Sequence, residues 1–223
     1  TRLIFGGYPE LTQYSSWEEK QNYLREIVSS YLLKDILVFD GIKNSNKIYD
    51  LLRLIALQIG KEVSLQELGN QLQMSKNTVE RYLDLLTKVF ILFKVEGFSR
   101  NLRKEITKTS RWYFYDNGIR NAIINNYNSL QNRTDVGDLW ENYLASERIK
   151  KQEYHKIFRA NYFWRTYDRQ ELDWLEEDAE KLSAFEFKWN ENKKAKIPTA
   201  FAKAYADAEF SLITKKNYLD FIT

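Results

Sequence analysis

The sequence of 223 residues contains no Cys, a single His and no apolar run of the length that a membrane span needs. Without Cys, disulfide bonds and thiolate metal sites are excluded, and we predict a cytoplasmic protein without membrane contact. The lone His155, which we expect to be solvated, leaves little basis for a zinc site or for a Ser-His nucleophile. Any metal is therefore expected to be a hard cation held by carboxylates.

The sequence also has no strong charge of one sign, since 34 Lys and Arg face 31 Asp and Glu. An affinity for nucleic acid would have to come from local clusters of cations and not from a global field. The first residues, "TRLIFGGYPE", do not begin with Met and resemble the interior of a longer protein. Gly6 and Gly7 indicate a turn. No P-loop pattern surrounds them.

The first half of the chain predicts helices. An amphipathic pattern runs from Ser16 to about Val38, with Ser15 or Ser16 as its N-cap, and a second apolar helix ends at Gly60. Two shorter helices follow, one from Ser64 and one from Ser75 or Asn77. The polar turn "MSKN" between them is typical of a helix-turn-helix.

Two strand-like segments, "FILFKVEGF" and "RWYFYD", follow these helices, and a basic connector joins them. Helices followed by such a ribbon are typical of a winged helix. We predict nucleic-acid contacts from Lys76 and Arg81 on the second short helix, and from Arg100, Arg103, Lys104 and Lys108 in the connector. Arg111 adds to the same local excess of positive charge. Two alternatives stay open: a helical packing module without DNA contact, and a module that serves oligomer contacts only.

The second half predicts a mixed α/β arrangement. A loop leads into a long helix with "DLWENYL", and strands follow around "ANYFWRT", "QELDWL" and "SAFEFKW". "IPTAFAKAYADAEF" suggests another helix and "FSLITKKNYL" a final strand. We therefore predict an α+β fold, with a helical and winged-helix module first and a mixed α/β module second.

The strand "SAFEFKW" alternates in a way that separates aromatic from charged residues. Strand geometry sets Phe185, Phe187 and Trp189 on one face and Ala184, Glu186 and Lys188 on the other. If a hairpin turns around residues 178–181, symmetric pairing sets Asp173 across from Glu186. The hairpin is then expected to be apolar on one side and to gather an Asp, a Glu and a Lys on the other.

This group of side chains has a chemical interpretation and a simpler alternative. Two carboxylates can hold Mg²⁺ or Mn²⁺, while a lysine orients the attacking water or stabilises phosphate charge. Glu141, on the helix with "DLWENYL", is a further candidate ligand. The alternative is an ion pair between Glu186 and Lys188 on a solvated sheet surface.

Asp173, a gap of 12 residues and then Glu186-Phe187-Lys188, preceded by a helix with Glu141, resembles the PD-(D/E)XK nuclease superfamily. The chain also resembles the C-terminal region, a domain of unknown function, of prokaryotic AAA-type ATPases. The matching stretches cover most of the chain and include "FGGYPE", "SSYLLKDI", "NTVERYLDLL", "WYFYDNGIRNAI", "NRTDVGDLWENYL", "FWRT", "ELDWL" and "FEFKW".

The resemblance implies roles for particular residues. Asp173 and Glu186 would be metal ligands, Lys188 would complete the E-x-K element, and Glu141 would be the acid of the first motif. Leu172 stands before Asp173 where the superfamily name has a Pro. Arg165 in "FWRT" matches a recurrent family position and is a candidate phosphate contact.

These inferences give three predicted regions: residues 1–43 as a helical lead-in from a missing ATPase module, 44–125 as a winged helix and 126–223 as a nuclease-like domain. We predict a nuclease that depends on Mg²⁺ or Mn²⁺ and binds DNA, with duplex DNA and its own N-terminal ATPase module as partners. ATP would bind only in that missing module, and an oligomer stays open. The alternative is a catalytically inactive appendage of the ATPase that binds DNA or a partner.

Overall fold

A computed structural model describes residues 1–32, 45–100, 109–179 and 181–223. These residues form a mixed α+β structure, as predicted. They divide into two compact units. We call residues 1–94 with 112–135 the helical unit, and residues 95–111 with 136–223 the sheet unit. The end of the predicted first helix and the connector residues Arg103, Lys104 and Lys108 lie outside the described residues.

The helical unit is built from short helices. They are α1 (Arg2–Phe5), α2 (Trp17–Glu26), α3 (Ser45–Leu57), α4 (Leu65–Leu72), α5 (Lys76–Lys88) and α6 (Asn117–Ile123). A π-helical segment, Ile27–Leu32, continues α2, and 3₁₀ turns cover Pro9–Thr12 and Leu130–Asn132. The strands β1 (Glu62–Val63), β3 (Ser110–Phe114) and β2 (Leu92–Gly97) hydrogen-bond in that order, and β2 and β3 each have residues in both units.

Serine side chains define where three of these helices begin. Ser16 caps α2 and forms a capping box with Glu19, and Ser64 and Ser75 cap α4 and α5 through backbone N–H groups three residues later. The two predicted short helices are therefore confirmed. The apolar residues of α5 are buried up to Leu86, but Phe90 is exposed because the chain turns there with φ 57°.

The N-terminal turn packs against the start of α6. Asp116 caps α6 through the N–H of Ile119 (3.0 Å) and accepts a second bond from the N–H of Gly7 (2.7 Å). A Cβ at Gly6, where φ is 78°, would lie 2.0 Å from an Asp116 oxygen. This turn therefore needs glycine, and its role in the described structure is packing.

Gly118 supports a testable prediction about this packing. A Cβ at Gly118 would lie 2.1 Å from the carbonyl oxygen of Phe5, so Gly118→Ala is expected to lower the free energy of unfolding by about 1–3 kcal/mol. Gly137→Ala, where a Cβ meets nothing within 4 Å, is the matched control and is expected to be neutral or stabilising. Urea unfolding followed by circular dichroism would measure both. Equal stability of the two variants would contradict the close approach.

The sheet unit contains one long helix and most of the strands. Its elements are α7 (Val136–Tyr154), β4 (Ala160–Arg165), β5 (Glu171–Asp178), β6 (Lys181–Phe187), α8 (Thr199–Ala204), β7 (Glu209–Ile213) and α9 (Tyr218–Ile222). The strand order is β2-β4-β5-β6-β7. β5 is antiparallel to β4 and β6, whereas β2 pairs with β4 and β6 with β7 in parallel. The predicted strands and long helix are present, but the predicted final strand ends at Ile213 and α9 follows it.

Both faces of strand β6 are covered, which corrects the expectation of one apolar and one polar side. Ala184 is fully buried in a cluster with Leu182, Leu175 and Phe201 of α8. On the opposite face, Phe185 and Phe187 contact Phe221 of α9 with ring centroids 4.9 and 5.4 Å apart. Glu186 and Lys188 therefore continue a face that is buried at Ala184.

Among the described residues, no helix combines the length and the apolar character that crossing a membrane requires.

Candidate functional site

The β5–β6 hairpin has the register that the sequence predicts. Its residue pairs run from Trp174 with Phe185 to Asp178 with Lys181 at the turn. Continued by one residue, this register sets Asp173 across from Glu186. The ladder of β6 extends beyond the strand, since the N–H of Lys188 donates to the carbonyl of Ile213 at 2.9 Å.

A β-bulge on the other side of β5 changes the simple alternation. Tyr162 pairs with Leu175, and Trp164 pairs with Leu172, so Phe163 faces two residues of β5. Those two residues are Asp173 and Trp174. A bulge of this kind re-aims the side chains of the strand that carries the extra residue, which here is β5.

Asp173 and Glu186 form the centre of the candidate site. Asp173 is 8% exposed and its Oδ2 accepts a hydrogen bond from the N–H of Phe187 at 2.8 Å. The Lys188 ammonium donates to Glu186 Oε1. Glu186 Oε2 is buried and has no hydrogen-bond partner within the part of the chain that the structure describes. The ion pair of the alternative interpretation is therefore present, with 15% of the Glu186 side chain and 31% of the Lys188 side chain exposed.

Arg111 joins this group, and the sequence did not indicate it. Its Nη2 lies 3.0 Å from Glu171 Oε2, and its Nη1 lies 3.6 Å from Glu141 Oε1 and 4.0 Å from Asp173 Oδ1. The guanidinium also lies over the ring of Phe163, 4.5 Å from its centroid. Only 5% of its side chain is exposed. Grouping Arg111 with a solvated basic connector was therefore wrong, because its charge is neutralised inside the acidic cluster.

Within the cluster, the carboxylates outnumber the cations that contact them, and several pKa values are raised. Burial raises the pKa of Asp173, and burial together with the Asp173 charge raises the pKa of Glu186. Burial alone would lower the pKa of Lys188, but the bond to Glu186 and the charges of Asp173, Glu186 and Glu141 raise it. If all groups ionise, the four carboxylates outnumber the two cations that contact them, Arg111 and Lys188, and Arg165 lies opposite Glu171.

The donor set can be tested against a divalent ion. Among the described residues, no group of three or more acidic or His side chains is arranged to hold a metal. Mg²⁺, however, is commonly held by one or two carboxylates, with waters and substrate phosphate as its other ligands. The Glu186 Oε2 atom and the excess negative charge fit that mode, with Asp173 and Glu186 as ligands. Glu141 contacts Arg111, which makes it a supporting acid and not a ligand in this arrangement.

The predicted phosphate contacts lie at several places. Lys76 and Arg81 are exposed on α5, with Arg81 over the ring of Tyr82. Arg100 donates to Glu177 at 2.8 Å, and this bond raises the pKa of Arg100. Arg165 ends β4 directly opposite Glu171, whose carboxylate bonds to Arg111. Of these cations, register therefore brings Arg165 next to the acidic cluster.

The model of a domain of unknown function, DUF8612, matches residues 1–130, which is more than half of the chain. The chain belongs to this family. A second domain of unknown function, DUF4143, matches residues 136–219. DUF4143 is known as a C-terminal region of AAA-type ATPases, which supports the coarser part of the predicted resemblance.

The curated relatives are uncharacterized proteins. One from Methanocaldococcus jannaschii is 23% identical and covers 96% of this chain and 47% of its own length. One from Mycobacterium tuberculosis is 22% identical over 82% of this chain and 41% of its own. A Haemophilus influenzae protein is 25% identical over 54% of this chain and 31% of its own. The chain thus spans half or less of the relatives it matches, and no solved structure matches it significantly.

Proposed function

We propose that the cluster of Asp173, Glu186 and Lys188 is the centre of a divalent-metal-dependent nuclease that hydrolyses nucleic-acid phosphodiesters. The observation that carries this proposal is the buried Glu186 Oε2, which lacks a hydrogen-bond partner among the described residues and lies beside a second buried acid. Nearby acids whose pKa values are both raised by burial and by each other's charge are typical of catalytic sites.

Some of these side chains would bind the metal ion, and another would stabilise the charge of the phosphate. Asp173 and Glu186 would hold Mg²⁺ or Mn²⁺, and the backbone N–H of Phe187 orients the Asp173 carboxylate. When bound, the ion supplies Lewis-acid polarisation of the phosphodiester and lowers the pKa of the attacking water. The raised pKa of Lys188 keeps its ammonium protonated at neutral pH, so it would stabilise phosphate charge and not act as a base.

Nucleic-acid binding would involve the helical unit as well. In this proposal, helices α4 and α5 with strands β1, β3 and β2 would form a winged helix, and Lys76 and Arg81, exposed on the second helix, would contact the nucleic acid. In the sheet unit, Arg165 would contact a phosphate near the acidic cluster. The DUF4143 match favours an AAA-type ATPase module as the partner that repositions these parts.

A second function has its own supporting observation. Lys188 bonds to Glu186, and Arg111 lies between Glu141, Glu171 and Asp173, so two protein cations already neutralise part of the site. An arrangement of this kind suits a nuclease-like domain that has lost turnover and serves the ATPase as a DNA- or partner-binding appendage.

Asp173→Asn separates the two functions. Calorimetry with MgCl₂ and MnCl₂, and cleavage of plasmid and single-stranded DNA, would compare it with wild type and with Asp168→Asn, an exposed control. We expect the Asp173 variant to lose at least about 100-fold in metal affinity, because a lost ligand costs more than a lost outer partner, and to lose cleavage. The free energy of unfolding of Asp173→Asn should not fall below that of wild type. Burial raises the pKa of Asp173, so its ionised carboxylate destabilises the folded state at neutral pH. If wild type shows no heat of metal binding and no DNA cleavage, the nuclease proposal fails and the inactive appendage is the remaining function.

A further inference from the structure

A second candidate site lies in the helical unit, apart from the acidic cluster. It is an open cleft of about 420 Å³, a volume in the usual range for small-molecule sites. Seven residues line it: Trp17, Gln21, Arg25, Asn125, Tyr127, Asn128 and Ser129. One wall is helix α2 and the other is the loop that follows α6.

The helical wall presents three side chains of different chemistry in one row. Trp17, Gln21 and Arg25 are spaced by four residues, which places them on one face of α2. Ser16 is the N-cap, and its capping box fixes the start of this helix at Trp17. Trp17 meets Phe5 edge to face, with centroids 4.6 Å apart, and still leaves 45% of its surface exposed. An indole held in this way offers a surface on which a flat ring can stack.

The loop wall is polar and fixed by its own hydrogen bonds. Asn125 adopts the left-handed conformation with φ 52°, and the Asn126 side chain accepts a bond from the N–H of Asn128 at 3.3 Å. Tyr127 is 5% exposed, and its hydroxyl has no hydrogen-bond partner in the described ranges. Burial raises its pKa to about 12. The wall thus carries amide groups and a buried hydroxyl that can still donate.

Arg25 connects the two walls and sets the charge of the cleft. Its Nη2 donates to Asn125 Oδ1 at 2.8 Å, and its guanidinium lies 5.8 Å from the centroid of the Tyr127 ring. These contacts hold the guanidinium in place before any ligand arrives, which lowers the entropy lost on binding. None of the seven lining residues is acidic. The cleft therefore favours a ligand that is anionic as well as flat.

We propose that this cleft binds a nucleotide unit, either a free mononucleotide or an unpaired nucleotide of a strand. Trp17 would stack on the base, since every nucleobase has a π-face. Gln21, Asn128 and Ser129 would hydrogen-bond the edges of the base and the sugar, and Arg25 would pair with the phosphate. The polar lining and the single cation suit such a ligand better than they suit an apolar one.

Calorimetric titration with 5′-AMP, adenosine and a short oligothymidylate tests the proposal. We expect saturable binding of AMP, with adenosine weaker because it lacks the phosphate. Arg25→Gln should weaken AMP binding about tenfold and change adenosine binding little. Arg53→Gln removes an exposed arginine from α3 in the same unit and should bind AMP like wild type. Asn128→Asp, an exposed substitution that adds negative charge, should weaken AMP as well.

The outcomes separate the sources of the ligand and the two sites. Tighter binding of the oligonucleotide than of AMP identifies a strand as the source, and the reverse order identifies a free nucleotide. Asp173→Asn should leave this binding unchanged, so failure of the nuclease proposal would not remove it. No saturable binding of either AMP or the oligonucleotide, or equal effects of Arg25→Gln and Arg53→Gln, would overturn the proposal.

Discussion

Lys188→Met is expected to lower the rate of phosphodiester cleavage by about 10²–10³-fold, the usual effect of removing one preorganised donor from a developing negative charge. The expectation rests on the nuclease proposal and on the position of the ammonium, which donates to Glu186 Oε1 within the acidic cluster. Because the pKa of Lys188 is raised, the group carries its full charge throughout the neutral range. Its removal therefore takes away a fixed positive charge and not a proton acceptor.

The affinity of Lys188→Met for Mg²⁺ should not fall with its cleavage rate. Lys188 competes with a metal ion for Glu186, so Lys188→Met should bind Mg²⁺ at least as tightly as wild type. The pH profile gives a further distinction, since a lysine that stays protonated adds no rise in rate between pH 6 and pH 9. Calorimetry and single-turnover cleavage of a labelled duplex would measure both properties.

Lys194→Met is the matched control for this experiment. It removes the same charge from an exposed position in the loop after β6. We expect it to cleave at nearly the wild-type rate, because solvent and salt screen an exposed charge. Equal rates for wild type and Lys188→Met, or equal losses in the two variants, would contradict a role for this ammonium.

The register of the hairpin could be predicted from the sequence because two local features define it. The turn at residues 178–181 and the period of two in "SAFEFKW" leave one pairing, and the observed pairs from Asp178 with Lys181 to Trp174 with Phe185 follow it. The caps of α2, α4 and α5 were predictable for the same reason, since an N-cap serine bonds to an N–H only three residues away. Interactions between residues a few positions apart can be predicted from a short window of sequence.

The bulge at Asp173 and the position of Arg111 depend on distant partners. The extra residue of β5 is defined only by its pairing with β4, and nothing within "ELDWL" marks it. Arg111 contacts Glu141 and Glu171, which are 30 and 60 residues away along the chain. In the sequence it follows a run of basic residues, which is typical of a solvated segment. Burial by tertiary contacts overrides that local appearance.

A buried ion pair between α7 and β5 was missed although the sequence carries a signal for it. Glu176 shares its strand face with Trp174, so an acid interrupts a face that begins with a large aromatic. Such an acid needs a partner, because an unpaired buried charge is costly. Arg148 supplies it, but within "ASERIKKQ" this arginine resembles the other cations of a solvated helix face.

Arg148→Met is expected to lower the free energy of unfolding by about 3–5 kcal/mol at pH 7, the usual cost of breaking a buried pair. Arg148 Nε and Nη2 lie 2.5 and 2.8 Å from the two oxygens of Glu176, and Nη1 donates to the carbonyl of Phe221 at 2.6 Å. Glu176 is 1% exposed. Among the described residues, the variant leaves this carboxylate with Arg159 as its remaining ion-pair partner, and it leaves the Phe221 carbonyl with only the longer bond from the Lys151 ammonium, at 3.4 Å.

The dependence on pH follows from the pKa of Glu176. Burial would raise that pKa, but the hydrogen bonds and charge of Arg148, with those of Arg159, hold it below its ordinary value. In wild type the pair therefore stabilises the fold above the ordinary pKa, and this contribution is lost as the pH falls through the lower folded value. In Arg148→Met, burial is opposed less and the pKa should rise, so Glu176 gains a proton on folding as the pH falls. The loss of stability should be smaller near pH 4 than at pH 7.

Two further variants separate the ion pair from general packing. Arg159→Met removes a cation that is 29% exposed, and we expect it to cost about 1 kcal/mol, since solvent weakens exposed pairs. Arg148→Met combined with Glu176→Leu should recover part of the loss, because the double variant no longer buries an unbalanced charge. Urea unfolding at pH 7 and pH 4 would measure all of them. A double variant no more stable than Arg148→Met, or a loss that is the same at both pH values, would show that Arg148 acts through packing on Phe221 and not through Glu176.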